Sequence, residues 1–141
     1  MPDDPYDLER FLAAQDARGT YASAVAELRA GRKTGHWMWF VFPQIAGLGL
    51  SETSRRYAIS SIDEARAYLA HPILGKRIEE CARTLTELTG ESARDIFGPV
   101  DATKLRSSMT LFAHAGDDPA FRAVLERYFD GEEDSATLER L

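Results

Sequence analysis

Residues 35–44 read Gly-His-Trp-Met-Trp-Phe-Val-Phe-Pro-Gln, and the organisation of the whole chain depends on this stretch. It contains both tryptophans of the protein and two of its seven phenylalanines, with polar side chains only near its ends. The apolar residues do not follow a helical period, and a strand made of them would be buried on both faces. Because no second stretch of this kind is present to pair with it, we predict an extended or one-turn segment, residues 35–50, threaded through a helical core.

The rest of the chain carries the sequence signals of helices. Ser51, Ser61 and Asp118 precede apolar residues spaced by three and four, as helix N-caps do. Gly31 and Gly131 follow such patterns, as glycines beyond the C-terminal end of a helix do. These signals predict an all-α protein.

We expect a single compact bundle of about seven helices over residues 6–141, preceded by a disordered tail over residues 1–5. The length of 141 residues suits one domain. A helix break is expected at Gly98-Pro99, and Asp101 is expected to cap the helix that follows. Gln15 is expected on an exposed helix face.

The composition excludes several classes of function. The net charge of −6 argues against nucleic acid as a partner, because neutralising phosphates requires a concentrated basic surface. No apolar run approaches the roughly 20 residues of a membrane span, and the acidic N-terminus lacks the features of a signal peptide, so a cytoplasmic location is expected. The single cysteine, Cys81, is expected to be buried in a helix. The three histidines show no metal-ligand spacing, and we expect neither a metal nor a cofactor.

Five residues in or near the aromatic stretch suit the binding of a ligand. His36 has an imidazole for acid–base chemistry, or it anchors the entry of the segment into the core. Trp37 and Trp39 offer flat surfaces for stacking, although only one of them can face a given cavity if they alternate. Gln44 supplies an amide for the edge of a base or a sugar hydroxyl, and Arg55 suits a phosphate unless it lies on a solvated face.

Further along the chain, Lys104 and Ser108 are four residues apart and therefore share a helix face. A desolvated lysine beside a serine supports nucleophilic chemistry. Asp101, one turn before, would lie close to Lys104. The same three residues also suit a purely structural polar network.

The string His-Trp-Met-Trp-Phe-Val-Phe-Pro-Gln with the following Gly47-Leu48-Gly49 resembles the family of uncharacterised proteins known as domain of unknown function 1810. The resemblance extends over residues 11–141. It implies an all-α fold and brings no activity with it. Further residues that carry it include Tyr57-Ala58-Ile59, His71-Pro72, Ser107-Ser108-Met109-Thr110-Leu111-Phe112 and Tyr128-Phe129-Asp130-Gly131.

A second, shorter resemblance is to N-glycosidases that act on ADP-ribose-like and riboflavin-intermediate substrates. It implies a hydrolase for an ADP-ribose-like nucleotide, with one tryptophan stacking on the base and Gln44 orienting it. Arg55 would hold phosphate, and His36 or Asp101 would transfer a proton or stabilise an oxocarbenium-like centre. The residues that carry it are Glu64-Ala65, Leu74-Gly75-Lys76-Arg77, Asp101, Lys104, Met109, Phe112 and Phe121.

Two alternatives to an enzyme remain at this point. In the first, the protein is a non-catalytic helical module that binds a small ligand or another protein. In the second, the aromatic segment is only part of the hydrophobic core and lines no pocket. A non-helical interior path needs its backbone polar groups paired, and His36, Gln44, Arg55 and Ser108 are the side chains expected to pair them. Convergence of His36, Gln44, Arg55 and Lys104 on one cavity would favour a functional site. The sequence leaves the oligomeric state and the ligand's identity open.

Overall fold

The computed structural model describes residues 4–141, within which nine α-helices and one 3₁₀ turn make up the regular structure. The fold is all-α, as predicted, and one-turn elements account for the excess over about seven helices. Within these residues the β pairing amounts to one parallel bridge between Ile45 and Ile59. The helices are α1 (Glu9–Asp16), α2 (Thr20–Ala30), α3 (Met38–Val41), α4 (Glu52–Arg56), α5 (Ile62–Ala70), α6 (Leu74–Glu87), α7 (Ala93–Ala115), α8 (Pro119–Phe129) and α9 (Ser135–Leu138), with the 3₁₀ turn at Ala17–Gly19.

The N-terminal end is attached to the helical body. Residues 1–3 of the predicted tail lie outside the described residues, whereas Asp4 accepts a hydrogen bond from the backbone N–H of Leu8 at 2.7 Å. Arg10 of α1 donates to the carbonyl oxygen of Ala58 at 2.8 Å and to the carboxylate of Glu64 at 2.9 Å. Arg10 therefore joins α1 to the start of α5 and to the chain before it.

The helix boundaries follow the predicted capping residues. Ser51 accepts a hydrogen bond from the N–H of Ser54 at 3.1 Å, and Ser61 accepts one from Glu64 at 3.2 Å. Gly31 ends α2 with a φ of 74°, the left-handed conformation that favours glycine. These cap predictions are confirmed.

Helix α7 is bent where the sequence predicts a break. Gly98 has a φ of 81° and a ψ of 167°, and Pro99 restarts the helix. The prediction that Asp101 caps this helix is wrong, because the helix begins at Pro99 and Asp101 already lies within its first turn. Its side chain is free to pair with cations instead.

The core lies where α5, α6, α7 and α8 pack on one another. A row of aromatic rings crosses it. Tyr68 of α5 lies 5.3 Å from Phe112 of α7, and Phe112 lies 5.8 Å from Phe121 of α8, measured between ring centroids. Cys81 of α6 is buried, as predicted.

Of the two conformations predicted for the aromatic segment, extended chain or one turn, the structure shows a single helical turn, α3. The N–H of Val41 donates to the carbonyl of Trp37 at 3.1 Å, and the N–H of Phe42 donates to that of Met38 at 3.0 Å. This turn pairs part of the segment's backbone internally while four large side chains become buried. Those side chains are Trp37, Met38, Val41 and Phe42.

The entry into the segment is held by Glu27 of α2. One carboxylate oxygen of Glu27 accepts hydrogen bonds from the N–H of Thr34 at 2.6 Å, the N–H of Gly35 at 2.7 Å and the indole Nε1 of Trp37 at 3.1 Å. Burial alone would raise the pKa of Glu27, but these hydrogen bonds favour the charged form and the net pKa is lowered. The carboxylate thus stays ionised at neutral pH.

The middle of the segment is held by Gln15 of α1, which was expected to be exposed and is instead 1% exposed. Its amide donates to the carbonyl of Phe40 at 2.7 Å and to the hydroxyl of Tyr68 at 3.1 Å, and its oxygen accepts from Arg77 at 3.1 Å. Periodicity did not reveal this role because Gln15 is a polar residue on an inward face.

Replacing Glu27 by alanine should lower the free energy of unfolding by about 2 kcal/mol, because it removes three hydrogen bonds to a charged acceptor. Urea denaturation followed by far-UV circular dichroism measures the change. The matched control is Glu87→Ala at the exposed end of α6, which should leave stability nearly unchanged. Equal stabilities for the two variants would contradict the stabilising role of the Glu27 hydrogen bonds.

Candidate functional site

Two adjoining cavities lie where the loop after α3 meets α4 and α7. The smaller cavity has a volume of about 180 Å³ and is lined by Trp39, Gln44, Arg55 and Tyr57 together with the loop. The larger cavity has a volume of about 500 Å³ and lies between the same loop, α7 and the start of α9. Side chains of α7 that line it are those of Pro99, Val100, Thr103, Lys104 and Ser107.

A common wall separates the cavities, since Gln44, Leu48, Gly49 and Ser54 line both of them. The β bridge fixes the start of this wall, because Ile59 donates its N–H to the carbonyl of Gln44 at 2.8 Å. Gly49 lies so close to Ser54 that a Cβ atom on Gly49 would be 2.5 Å from the hydroxyl oxygen. A side chain at this position would displace the wall.

Gln44 and Arg55 have hydrogen-bonding capacity to spare. Neither side chain forms a hydrogen bond or an ion pair with any residue between 4 and 141, and both face the smaller cavity. Trp39, which lines the same cavity, is half-buried. The cavity therefore combines a flat apolar wall with an amide and a guanidinium that have no protein partner among these residues.

A charged group borders this arrangement. The Lys104 ammonium lies 4.3 Å from the centre of the Trp39 ring, a cation–π distance, and 3.4 Å from the carboxylate of Asp101. Asp101 also pairs with Lys33 at 2.8 Å, and the Lys33 side chain is only 8% exposed. One carboxylate is thus shared between two ammonium groups, which leaves the group with a net positive charge.

Asp134 is the carboxylate that lines the larger cavity. One of its oxygens accepts hydrogen bonds from the Ser107 hydroxyl at 3.0 Å and from the Thr137 hydroxyl at 2.6 Å. Burial would raise the pKa of Asp134, but hydrogen bonds from Thr137 and Ser107 outweigh it and the net pKa is lowered. Asp134 is therefore ionised at neutral pH and joins α9 to α7.

The predicted site residues are divided between the two cavities, and His36 and Trp37 line neither of them. Trp39, Gln44 and Arg55 line the smaller cavity, and Gln44 and Lys104 line the larger one. His36 is exposed and lines neither cavity. Trp37 is 1% exposed, with its N–H bonded to Glu27. Trp39 therefore lines the smaller cavity and Trp37 does not, although the two residues lie in a helical turn and not in an alternating strand.

The helix face of Lys104 continues through Ser107 rather than Ser108. Ser108 is fully buried, its hydroxyl has no hydrogen-bond partner in the described part of the chain, and it does not line the cavities. The i+4 spacing indicated Ser108, although i+3 neighbours share a face equally well. The sequence did not indicate that Asp134 lines a cavity, because its position before a short helix is that of an ordinary N-cap. Asp134 does cap α9 as well.

Three of the residues that carry the resemblance to N-glycosidases have structural roles in this protein. Glu64 is paired with Arg10 at 2.9 Å, and Arg77 is paired with Asp16 at 2.8 Å. Gly75 allows α6 to touch α5, since a Cβ atom there would collide with the carbonyl oxygen of Leu69 in α5. These residues line neither cavity.

Residues 4–141 contain neither a membrane-spanning helix nor a cluster of metal ligands. None of the helices there is long and apolar enough to span a membrane. No group of three or more His, Cys, Asp or Glu side chains in this part of the chain is arranged to hold a metal ion.

The fold and the paired cavities define a small all-helical protein built around an aromatic turn. The chain belongs to the family described as a protein of unknown function (DUF1810), whose model matches residues 5–141. This confirms the family indicated by the tryptophan-rich string.

The solved structures include a close match to this fold. It is the conserved hypothetical protein Rv1873 from Mycobacterium tuberculosis, a crystal structure at 1.38 Å, with 54% sequence identity and a TM-score of 0.94. The similarity covers 98% of each chain. Among curated proteins searched by sequence, none matches this chain significantly.

Replacing Asp134 by asparagine should destabilise the protein by about 2 kcal/mol at pH 7, because charge-assisted hydrogen bonds are lost. A lowered pKa means that this stability is present above the unfolded-state value of about 3.9 and disappears as the pH falls through the folded-state value. The difference between wild type and variant should therefore shrink below pH 4 in thermal denaturation.

The control for this change is Asp130→Asn, an exposed position with a φ of 55° that asparagine also tolerates. This variant should keep wild-type stability. A pH-independent gap between wild type and Asp134→Asn would contradict the role given to the ionised carboxylate.

Proposed function

We propose that the protein binds a small nucleotide-like ligand, one that joins a flat polar ring to an anionic group, with the ring in the smaller cavity. The observation that carries this proposal is the position of Gln44 and Arg55. Both face one cavity with unpaired polar groups, beside the half-buried ring of Trp39. Polar groups that have no hydrogen-bond partner in the described part of the protein and that lie together at a concave surface are typical of ligand sites.

Each residue has a role that follows from its chemistry. The Gln44 amide donates to and accepts from the edge of the ligand's ring, and Trp39 provides an apolar wall. Arg55 is exposed at the cavity and suits the two oxygens of a phosphate. The protein as a whole has a net charge of −6. The binding of an anion is therefore favoured by the positive charge of Arg55 at the cavity and not by the charge of the whole protein.

The alternative explanation of these polar residues was the pairing of the segment's backbone. Glu27 and Gln15 fill that role, together with Lys33, which donates to the carbonyl of Gly35 at 2.6 Å. The side chains of Gln44 and Arg55 take no part in it. This supports a binding role for them.

Titration with adenosine monophosphate tests the proposal, with tryptophan fluorescence and calorimetry as measurements. Binding should change the emission of the wild type and of Trp37→Phe, because Trp39 lines the cavity. Arg55→Ala should weaken affinity about tenfold, the worth of one charge-assisted phosphate contact. Arg94→Ala, an exposed arginine that lines neither cavity, is the matched control.

Two results would contradict the proposal. One is the absence of any heat or thermal shift with adenosine monophosphate and with ADP-ribose. The other is equal affinity for the Arg55→Ala and Arg94→Ala variants.

A second candidate is hydrolysis of the N-glycosidic bond of an ADP-ribose-like nucleotide. It is favoured by Asp134, an ionised carboxylate that lines the larger cavity together with Lys104. Such a carboxylate stabilises an oxocarbenium-like sugar while water attacks the anomeric carbon and the base leaves with a proton. Asp101 is shared between two lysines, and His36 lies outside the cavities. This candidate assigns their role to Asp134, one oxygen of which lies 3.6 Å from the guanidinium of Arg106.

Incubation with ADP-ribosylated nucleotides, followed by chromatography of the released base, tests the hydrolase. Wild-type protein should release product, and Asp134→Asn should reduce the rate at least about 100-fold at a temperature where circular dichroism shows it folded. Asp130→Asn serves again as the control. Ligand binding without product release would restrict the function to binding.

A further inference from the structure

The larger cavity exceeds what the proposed contacts of Trp39, Gln44 and Arg55 require. Its volume is about 500 Å³, whereas the cavity beside Trp39 has about 180 Å³. A void of roughly 150 Å³ accommodates benzene, so the larger cavity has room for more than one ring. Its apolar lining comes from Leu48, Pro99, Val100 and Ala136.

The apolar lining extends to the surface. Val100 is 67% exposed, and Leu50, which follows Gly49 of the shared wall, is 84% exposed. Val100 lies in the first turn after the kink in α7 and forms an exposed edge of the larger cavity.

Most polar groups of the larger cavity are already bonded within the protein. Ser107 donates to Asp134 at 3.0 Å, and Ser54 donates to the carbonyl of Ser51 at 2.8 Å. The Lys104 ammonium stands over Trp39, so it lies where the two cavities meet. The Lys104 ammonium therefore lies at the junction of the two cavities, and apolar side chains line the rest of the larger cavity.

We propose that the larger cavity is a second subsite of the same ligand site and takes an apolar, ring-sized group. The ligand class is then an anionic molecule with a polar ring on one side of its charge and an apolar group on the other. The inference rests on the proposed function, because it assigns the second half of the same ligand. Lys104 faces the anionic centre that joins the two halves.

The test compares adenosine monophosphate with its phenyl ester at the phosphate, in which the charged phosphate joins the nucleoside to an apolar ring. Calorimetry should show that the ester binds the wild type about tenfold more tightly, the effect of burying part of one aromatic ring. Val100→Asp should remove this gain, measured as the ratio of the two affinities within the variant. Ala136→Leu, which fills the cavity, should also remove it.

The matched control is Ile73→Asp, since Ile73 is 42% exposed and lines neither cavity. It should bind both ligands as the wild type does. Equal affinity of the wild type for the two ligands would overturn the second subsite, and so would equal weakening by Ile73→Asp and Val100→Asp. In both cases binding of adenosine monophosphate would leave the proposed function standing, whereas binding of neither ligand would overturn both.

Discussion

The structure depends on how an irregular aromatic segment is kept inside a helical domain. Buried N–H and C=O groups without partners cost about 1–3 kcal/mol each, so a turn of chain outside a long helix needs acceptors and donors from elsewhere. Glu27 supplies the acceptor at the entry of the segment, and Gln15 supplies the donor at its middle. The bridge between Ile45 and Ile59 pairs its end. These contacts allow Trp37 and its neighbours to remain in the core.

This pairing divides the polar residues around the segment into two groups. Glu27 and Gln15 are engaged with backbone groups and with the aromatic rings beside them. Gln44 and Arg55 lie beyond the turn and face a cavity. A glutamine occurs in both groups, and only their hydrogen-bond partners distinguish the structural Gln15 from Gln44, which is available to a ligand. The first part of the segment is thus buried in the core, and the part that begins a few residues later forms the cavity wall.

The sequence predicted the helical class, the caps at Ser51 and Ser61 and the break at Gly98, because each of these follows from local backbone chemistry. It missed the bond from Gln15 to Phe40 and the bond from Ser107 to Asp134, which join residues 25 and 27 positions apart in the chain. Long-range pairing has no periodic signature, so an inward polar residue is not distinguishable from a solvated one by spacing.

The sharing of Asp101 between two lysines has a kinetic consequence. The protein carries a net charge of −6, which repels an approaching anion at long range. At physiological ionic strength this repulsion is screened beyond about 8 Å, and the charge near the cavities then determines the encounter. Lys33 and Lys104 together exceed the single charge of Asp101. Added salt therefore removes a global barrier before it weakens the local attraction, so association of an anion should be fastest at intermediate ionic strength.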